Sequence, residues 1–233
     1  MREIFIITAA TCGIVLLLVI ILLPVGRCGS MPRKKSPEII KLPEPQHDSK
    51  VSIEKTLLKR RSVRNYLKVP LTLNEISQLL WAAQGMTSPG GYRTAPSAGA
   101  LYPLEVYVVA GSVENLPIGI YKYKSSEHEI IKTGAGDLRA KLCQAALSQS
   151  SINNAPVVLV FCAVYKRTTK KYGERGIRYV HIEVGHAAQN VCLQAVALDL
   201  GALVIGAFQD NEVKQVMNIA ADEHPLYILP IGK

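Results

Sequence analysis

A chain of 233 residues, 48% hydrophobic, can bury one substantial core, and three Phe, one Trp and no zinc-finger or RNA-binding signature argue against a nucleic-acid reader. The formal charge of +9 is uneven: residues 1–50 carry seven Lys/Arg against four Asp/Glu and the remainder twenty against fourteen, so the body is only moderately basic and suits an anionic cofactor or a membrane surface. The cysteines Cys12, Cys28, Cys143, Cys162 and Cys192 form no C-x-x-C pair, so neither a metal site nor a disulfide framework follows, and Cys162 and Cys192 read as small buried hydrophobes.

Ile4 to Leu23 carries no charged side chain over 20 residues, enough for a membrane-spanning helix. A cleaved signal segment competes, but no A-x-A-like site follows, and a lipidated Cys28 would need a small residue where Arg27 stands. Arg27, Arg33, Lys34 and Lys35 behind the apolar run place the body on the cytoplasmic side of a single-pass anchor, with export as the alternative. Residues 31–50, rich in Pro, Lys and Glu, read as an extended tether, so the expected organisation is an anchor over 1–30, a tether over 31–50 and one domain over 51–233.

Ile53 to Lys59 reads as a short amphipathic helix with Ile53, Leu57 and Leu58 on its apolar face. Directly after it, Arg60-Arg61-Ser62-Val63-Arg64 sets three guanidiniums and a hydroxyl within five residues, a donor set that can hold an anion, although cations at a helix C-terminus need no ligand. Thr72 caps a helix from Leu73 to near Gly85, with Glu75 in its first turn. Met86 to Ala100 is a long Gly/Pro/Ser-rich loop leading to a strand at Glu105 to Ala110. Ile120–Lys124 and Glu129–Lys132 form a hairpin, Asp137 opens a helix, and Val157 to Val164 is a central strand. Lys166 to Arg178 holds six basic residues and one acid and reads as a solvated loop. The longest helical pattern runs from Ile177 to Leu200, small and apolar on most faces, which demands burial in a core or a subunit interface. A strand at Ala202 to Ala207, a helix from Asn211 to Met217 and a strand at Leu226 to Ile231 follow. This order indicates an α+β or mixed α/β fold, and no G-x-G-x-x-G follows a strand.

Four segments, Lys59 to Tyr66, APSAGALYPLEVYVV (Ala95 to Val109), YGERGIRYVHIEVGHAAQN (Tyr172 to Asn190) and LVIGAFQD (Leu203 to Asp210), resemble in order and spacing the nitroreductase superfamily, within it the SagB-type dehydrogenases that include azoline oxidases. The resemblance implies an α+β, three-layer α-β-α sandwich, a homodimer with FMN at its interface, and electrons passed between NAD(P)H or an organic substrate and a nitroaromatic, quinone or azoline-type acceptor. By the same resemblance Arg60, Arg61 and Ser62 hold the FMN phosphate and Arg64 reaches the flavin N1 and O2 edge. Pro96, Ser97 and Ala98 pack along the ring, Ile205, Gly206 and Ala207 meet it near N5, and Lys233 stands at a last phosphate contact. A Lys-Tyr pair implicated in proton removal in the SagB-type branch matches Lys171 and Tyr172. A flavin-binding module at the membrane without turnover is the rival reading.

Overall fold

The computed structural model describes residues 37–233. Its strands are β1 (Ile39–Lys41), β2 (Leu104–Ala110), β3 (Gly119–Lys124), β4 (Glu129–Ala135), β5 (Val157–Ala163), β6 (Gly201–Ala202) and β7 (His224–Gly232). They form one sheet in the order β1-β4-β3-β2-β5-β7-β6, with every neighbouring pair antiparallel.

The composition of β5 explains the layering. All seven of its residues are buried, and because side chains alternate along a strand it must be covered on both faces. Val157, Leu159, Phe161 and Ala163 join one core cluster, while Val158, Val160 and Cys162 join the other. The first core is closed by α2 (Leu73–Gln84) and α6 (Arg175–Ala197) through Ile76, Leu79, Leu80, Val180, Val184 and Ala187. The second is closed by α3 (Arg139–Ala145), α4 (Ser150–Asn154) and α7 (Asp210–Met217), through Leu142, Ile152, Val213 and Met217. The result is the expected three-layer α-β-α sandwich. Two further helices, α1 (Ile53–Lys59) and α5 (Lys166–Tyr172), pack on α6.

Local chemistry sets several boundaries. At the start of α2, Glu75 N–H donates to Thr72 Oγ1 at 3.2 Å and Thr72 N–H to Glu75 Oε2 at 2.6 Å, a reciprocal cap that satisfies two otherwise free donors. At its end a Cβ on Gly85 would lie 2.2 Å from Trp81 Cδ1, so only glycine lets the chain leave there unchanged.

Five expectations are corrected. Part of the proposed tether is structured: Ile39 and Ile40 pair with Ile131 and Ile130, and Leu42 is buried, because β4 offers an open edge and an apolar surface. The apolar side chains of α1 face outward, with Leu58 75% exposed, and its buried residue is Thr56. Lys166 to Tyr172 is helical, and α6 begins at Arg175. The strand expected over 202–207 shortens to β6 and one isolated bridge at Ile205. The membrane location is overturned as well. Among the described residues no helix is long and apolar enough to cross a membrane, and the stretch Ile4 to Leu23 on which the anchor rested lies outside them.

Candidate functional site

Arg60 ends α1, its N–H donating to Thr56 O at 2.9 Å, and the chain then extends alongside β6. Ser62 bridges Ala202 in parallel, and Val63 N–H donates to Ala202 O at 3.1 Å. Gly201 makes room for this approach, since a Cβ there would lie 2.6 Å from Val63 Cγ1. The arginine stretch is thereby laid beside the segment that leads into Ile205, Gly206 and Ala207. Arg61 curls back on α1, its Nη1 donating to Leu58 O at 3.0 Å and Arg60 O at 2.8 Å. Arg60 and Arg64 have no ion-pair partner among the described residues.

Ile205 is buried and exchanges two backbone hydrogen bonds of 2.9 Å with Ile228, which brings Gly206 and Ala207 to the surface. Ala207 O accepts from Gln149 Nε2 at 3.0 Å. A Cβ on Gly206 would meet only Tyr227, at an ordinary 3.5 Å. The chain's own packing therefore does not demand glycine at this exposed position, whereas close approach of a flat ligand would.

A second cluster forms around the turn Ala98–Ala100. Ser97 Oγ accepts Tyr102 N–H at 2.9 Å, Ala100 N–H donates to Ser97 O at 3.0 Å, and Gly99 takes a positive φ of 65°. A Cβ on Gly99 would stand 2.7 Å from Tyr172 Oη and 3.0 Å from Lys171 Nζ. The structure thus seats Lys171 and Tyr172 on the turn that follows Pro96, Ser97 and Ala98. The two side chains also meet each other, with Lys171 Nζ 5.3 Å from the Tyr172 ring centre.

Arg167, one helical turn before Lys171, holds α5 in place by donating to Tyr102 O at 3.0 Å and to Glu105 Oε1. Glu105 is shared with Lys122, whose Nζ is 3.1 Å from Glu105 Oε2 and 2.6 Å from Glu223 Oε1. Glu223 also accepts from Tyr107 Oη at 2.7 Å. Burial works against the Lys122 charge, but the Glu223 and Glu105 carboxylates outweigh it and raise its pKa.

Beneath the turn lie two residues that the sequence reading passed over. Arg93 donates to Gln84 Oε1 at 2.8 Å and stacks 4.4 Å from the Tyr102 ring centre. Glu183, only 2% exposed, has no partner at Oε1, and Arg93 Nε is likewise unpartnered. Burial pushes the Glu183 carboxyl up from 4.5 to about 7, against the opposing pull of the Ser97 hydroxyl and the Arg93 guanidinium. A signal was available: Glu183 interrupts the buried stripe of Val180, Val184 and Ala187.

The raised pKa has a testable sign. Ionisation is easier in the unfolded chain, so the stability held by the neutral carboxyl is full below pH 4.5 and is lost as pH rises through about 7. Relative to Glu183→Gln, the unaltered protein is expected to lose about 2–3 kcal/mol between those limits, read by urea unfolding at several pH values. A difference that stays flat with pH would show that Glu183 does not carry a raised pKa.

Lys233 pairs with Glu75 Oε1 at 3.2 Å, at the start of α2, and its carbonyl accepts Leu67 N–H at 2.6 Å. Within one chain, no hydrogen bond or ion pair among the described residues joins the arginine stretch to the turn at Gly99.

Comparison with known proteins connects these two clusters to a family. The sequence profile of the nitroreductase family matches residues 57–233. A Methanocaldococcus jannaschii protein named as a nitroreductase is 48% identical over 183 residues, covering 78% of this chain and 91% of that protein. The microcin B17-processing protein McbC of Escherichia coli is 28% identical over 158 residues, covering 65% of this chain, which spans just 58% of McbC. Among solved structures, a protein of Ralstonia eutropha named as a nitroreductase matches with a TM-score of 0.74 at 31% identity, over 84% of this chain and 89% of that one. A chain of the E. coli microcin synthetase McbBCD complex, solved with truncated pro-MccB17 bound, matches with a TM-score of 0.65 at 26% identity, over 76% and 72% of the two chains.

Proposed function

The chain belongs to the nitroreductase family, and from that membership we propose that it is an FMN-dependent oxidoreductase working as a homodimer. The observation that carries this reading is the Ser62–Ala202 bridge, which lays Arg60–Arg64 along the segment that leads into Ile205–Ala207. The donor set fits FMN chemically. Arg60, Arg61 and Ser62 would hold the phosphate, and Arg64 would stand at the N1 and O2 edge, where a fixed guanidinium favours the reduced, negatively charged ring. Gly206, with nothing of its own chain crowding it, suits backbone approach to the ring, and the Pro96–Ala98 segment supplies a surface for the ring to lie on. FMN, when bound, supplies the hydride-accepting centre.

The homodimer gives a role to surfaces that one chain leaves open. Leu57 and Leu58 on α1, and Ile177 and Ile182 on α6, are large exposed apolar side chains on two helices that pack together. Pairing two copies would cover them and set the arginine cluster of one chain against the turn of the other.

For the organic substrate, a peptide-derived azoline is favoured over a nitroaromatic or quinone. Support comes from the likeness to McbC and from Lys171 and Tyr172 lying together on the Gly99 turn, where a base can take a proton while a hydride leaves the same substrate. NAD(P)H would serve as the counter-reductant when the chain works in the reducing direction. Purified protein is expected to be yellow, to bleach with NAD(P)H or with an azoline substrate that it dehydrogenates, and to recover its colour with an acceptor. Bound flavin that no donor bleaches would instead support a binding module without turnover, and protein that stays colourless after incubation with FMN would overturn the reading.

A further inference from the structure

The run from Lys166 to Arg178 is costly as a mere solvated surface. Helix α5 begins with Lys166 and Arg167, α6 begins with Arg175 and carries Arg178, and neither helix has an acid in its first turn. Cations there oppose the helix macrodipole. Within α5, 166 and 170, and 167 and 171, are like charges one turn apart, an arrangement that repels. Arg167 alone is neutralised, by Glu105, while Lys166, Lys170, Lys171, Arg175 and Arg178 are exposed and pair with no carboxylate among the described residues. Glu174 is the one acid of the run.

Position turns this unfavourable charge into a functional question. Arg167 ties the start of the run to Tyr102 and to Glu105 in β2, and its middle, Lys171 and Tyr172 at the end of α5, rests on the Gly99 turn. At the same junction Tyr172 and Tyr179 meet edge to face at 5.2 Å, so ring surface lies among the cations. We propose that this surface selects ring-bearing substrates that carry a carboxylate or phosphate, drawing the anion to Lys166, Lys170, Arg175 and Arg178 while the reacting end enters over the Ser97–Ala100 turn. The inference rests on the oxidoreductase reading above and adds the charge of the substrate to it. Mutual repulsion of the cations is relieved when an anion binds, and long-range attraction raises the encounter rate.

Two isosteric probes test it, 4-nitrobenzoate and the neutral 4-nitrobenzamide. Equilibrium binding to the oxidised, FMN-loaded protein is read by calorimetry, with no reaction required. The rate at which each probe reoxidises the reduced protein is then followed; each nitro group takes two electrons and two protons from the reduced flavin and gives a nitroso compound and water. The benzoate is expected to bind and react faster than the amide by about tenfold at low salt. That ratio is expected to fall about fivefold in Lys166→Gln/Lys170→Gln, and in the unaltered protein when salt is raised from about 0.05 to about 0.5 M. The donor side is checked in parallel with NADPH against NADH, whose difference is one phosphate. Charge preference in either half-reaction, erased by salt and by the double substitution, supports the proposal and says which substrate carries the anion. Turnover of the amide at the rate of the benzoate, and of NADH at the rate of the more highly charged NADPH, would overturn it while leaving the oxidoreductase reading intact, whereas protein without flavin would remove that reading itself.

Discussion

Replacing Arg60, Arg61 and Arg64 together by alanine is expected to yield a folded, colourless protein whose affinity for FMN has fallen by at least about 10³-fold. The magnitude follows from charge-assisted hydrogen bonds at roughly 1.5–3 kcal/mol each, with allowance for incomplete additivity. The fold should survive, because these arginines hold no carboxylate and Arg61 and Arg64 are exposed; Arg61 touches only the carbonyls of Leu58 and Arg60. Flavin fluorescence quenching on titration measures the affinity, and circular dichroism checks the fold. A triple variant that stays yellow through gel filtration would defeat the assignment of this stretch to the phosphate. Restoring Arg64 alone should recover little binding but shift the flavin's reduction potential, separating the redox end of the stretch from its phosphate end.

The second large effect is on stability. Glu223→Ala is expected to cost about 3 kcal/mol, seen as a lower urea midpoint. Its carboxylate is nearly inaccessible and serves two donors at once, Lys122 Nζ at 2.6 Å and Tyr107 Oη at 2.7 Å. Deleting it leaves a buried phenol without its acceptor and strips Lys122 of the nearer of its two carboxylates. Glu105→Ala makes an informative companion, because Glu105 reaches both Lys122 and Arg167. That change should loosen α5 itself, exposing the amides of residues 166–172 to faster hydrogen exchange, while Glu223→Ala leaves the Arg167 tie in place. Equal exchange in the two variants would mean that Arg167 does not anchor the helix carrying Lys171 and Tyr172.

How much of this was legible in the sequence depends on the range over which each feature is held together. The Thr72–Glu75 cap lies within one turn, and its helix was placed within a residue of its observed end. The unbroken run at Val157 announced a strand covered on both faces, and β5 is buried throughout. By contrast, β1 has three residues amid Lys, Glu and Pro and no period of its own; it is a strand because β4 presents an edge to it. Helix α5 was hidden for a related reason: its composition is that of a solvated loop, and what fixes it is the bond from Arg167 to Glu105 and the packing of buried Thr168 close to Gly176. Of the proposed site, the arginine stretch and the Ile205–Ala207 segment were each visible, but the bridge from Ser62 to Ala202, just ahead of that segment, is a tertiary fact. Glu183 and Arg93 went unnoticed because a single charged residue in an apolar stripe and one in a glycine-rich loop look incidental until the fold buries the first and half-buries the second beside Tyr102.

The place of β7 in the sheet bears on how the protein is made. Residues 224–232 lie between β5 and β6, not at a margin, so the strand that finishes the sheet is an interior one. Until those residues have been synthesised, β5 can pair with β2 but has one unoccupied side, and that side belongs to a segment of seven apolar residues free of charge or proline. A nascent chain in that state offers an adhesive edge to its neighbours. Expression at high ribosome density should therefore favour aggregation more than the stability of the finished protein would suggest, and slower synthesis or holding chaperones should raise the soluble yield.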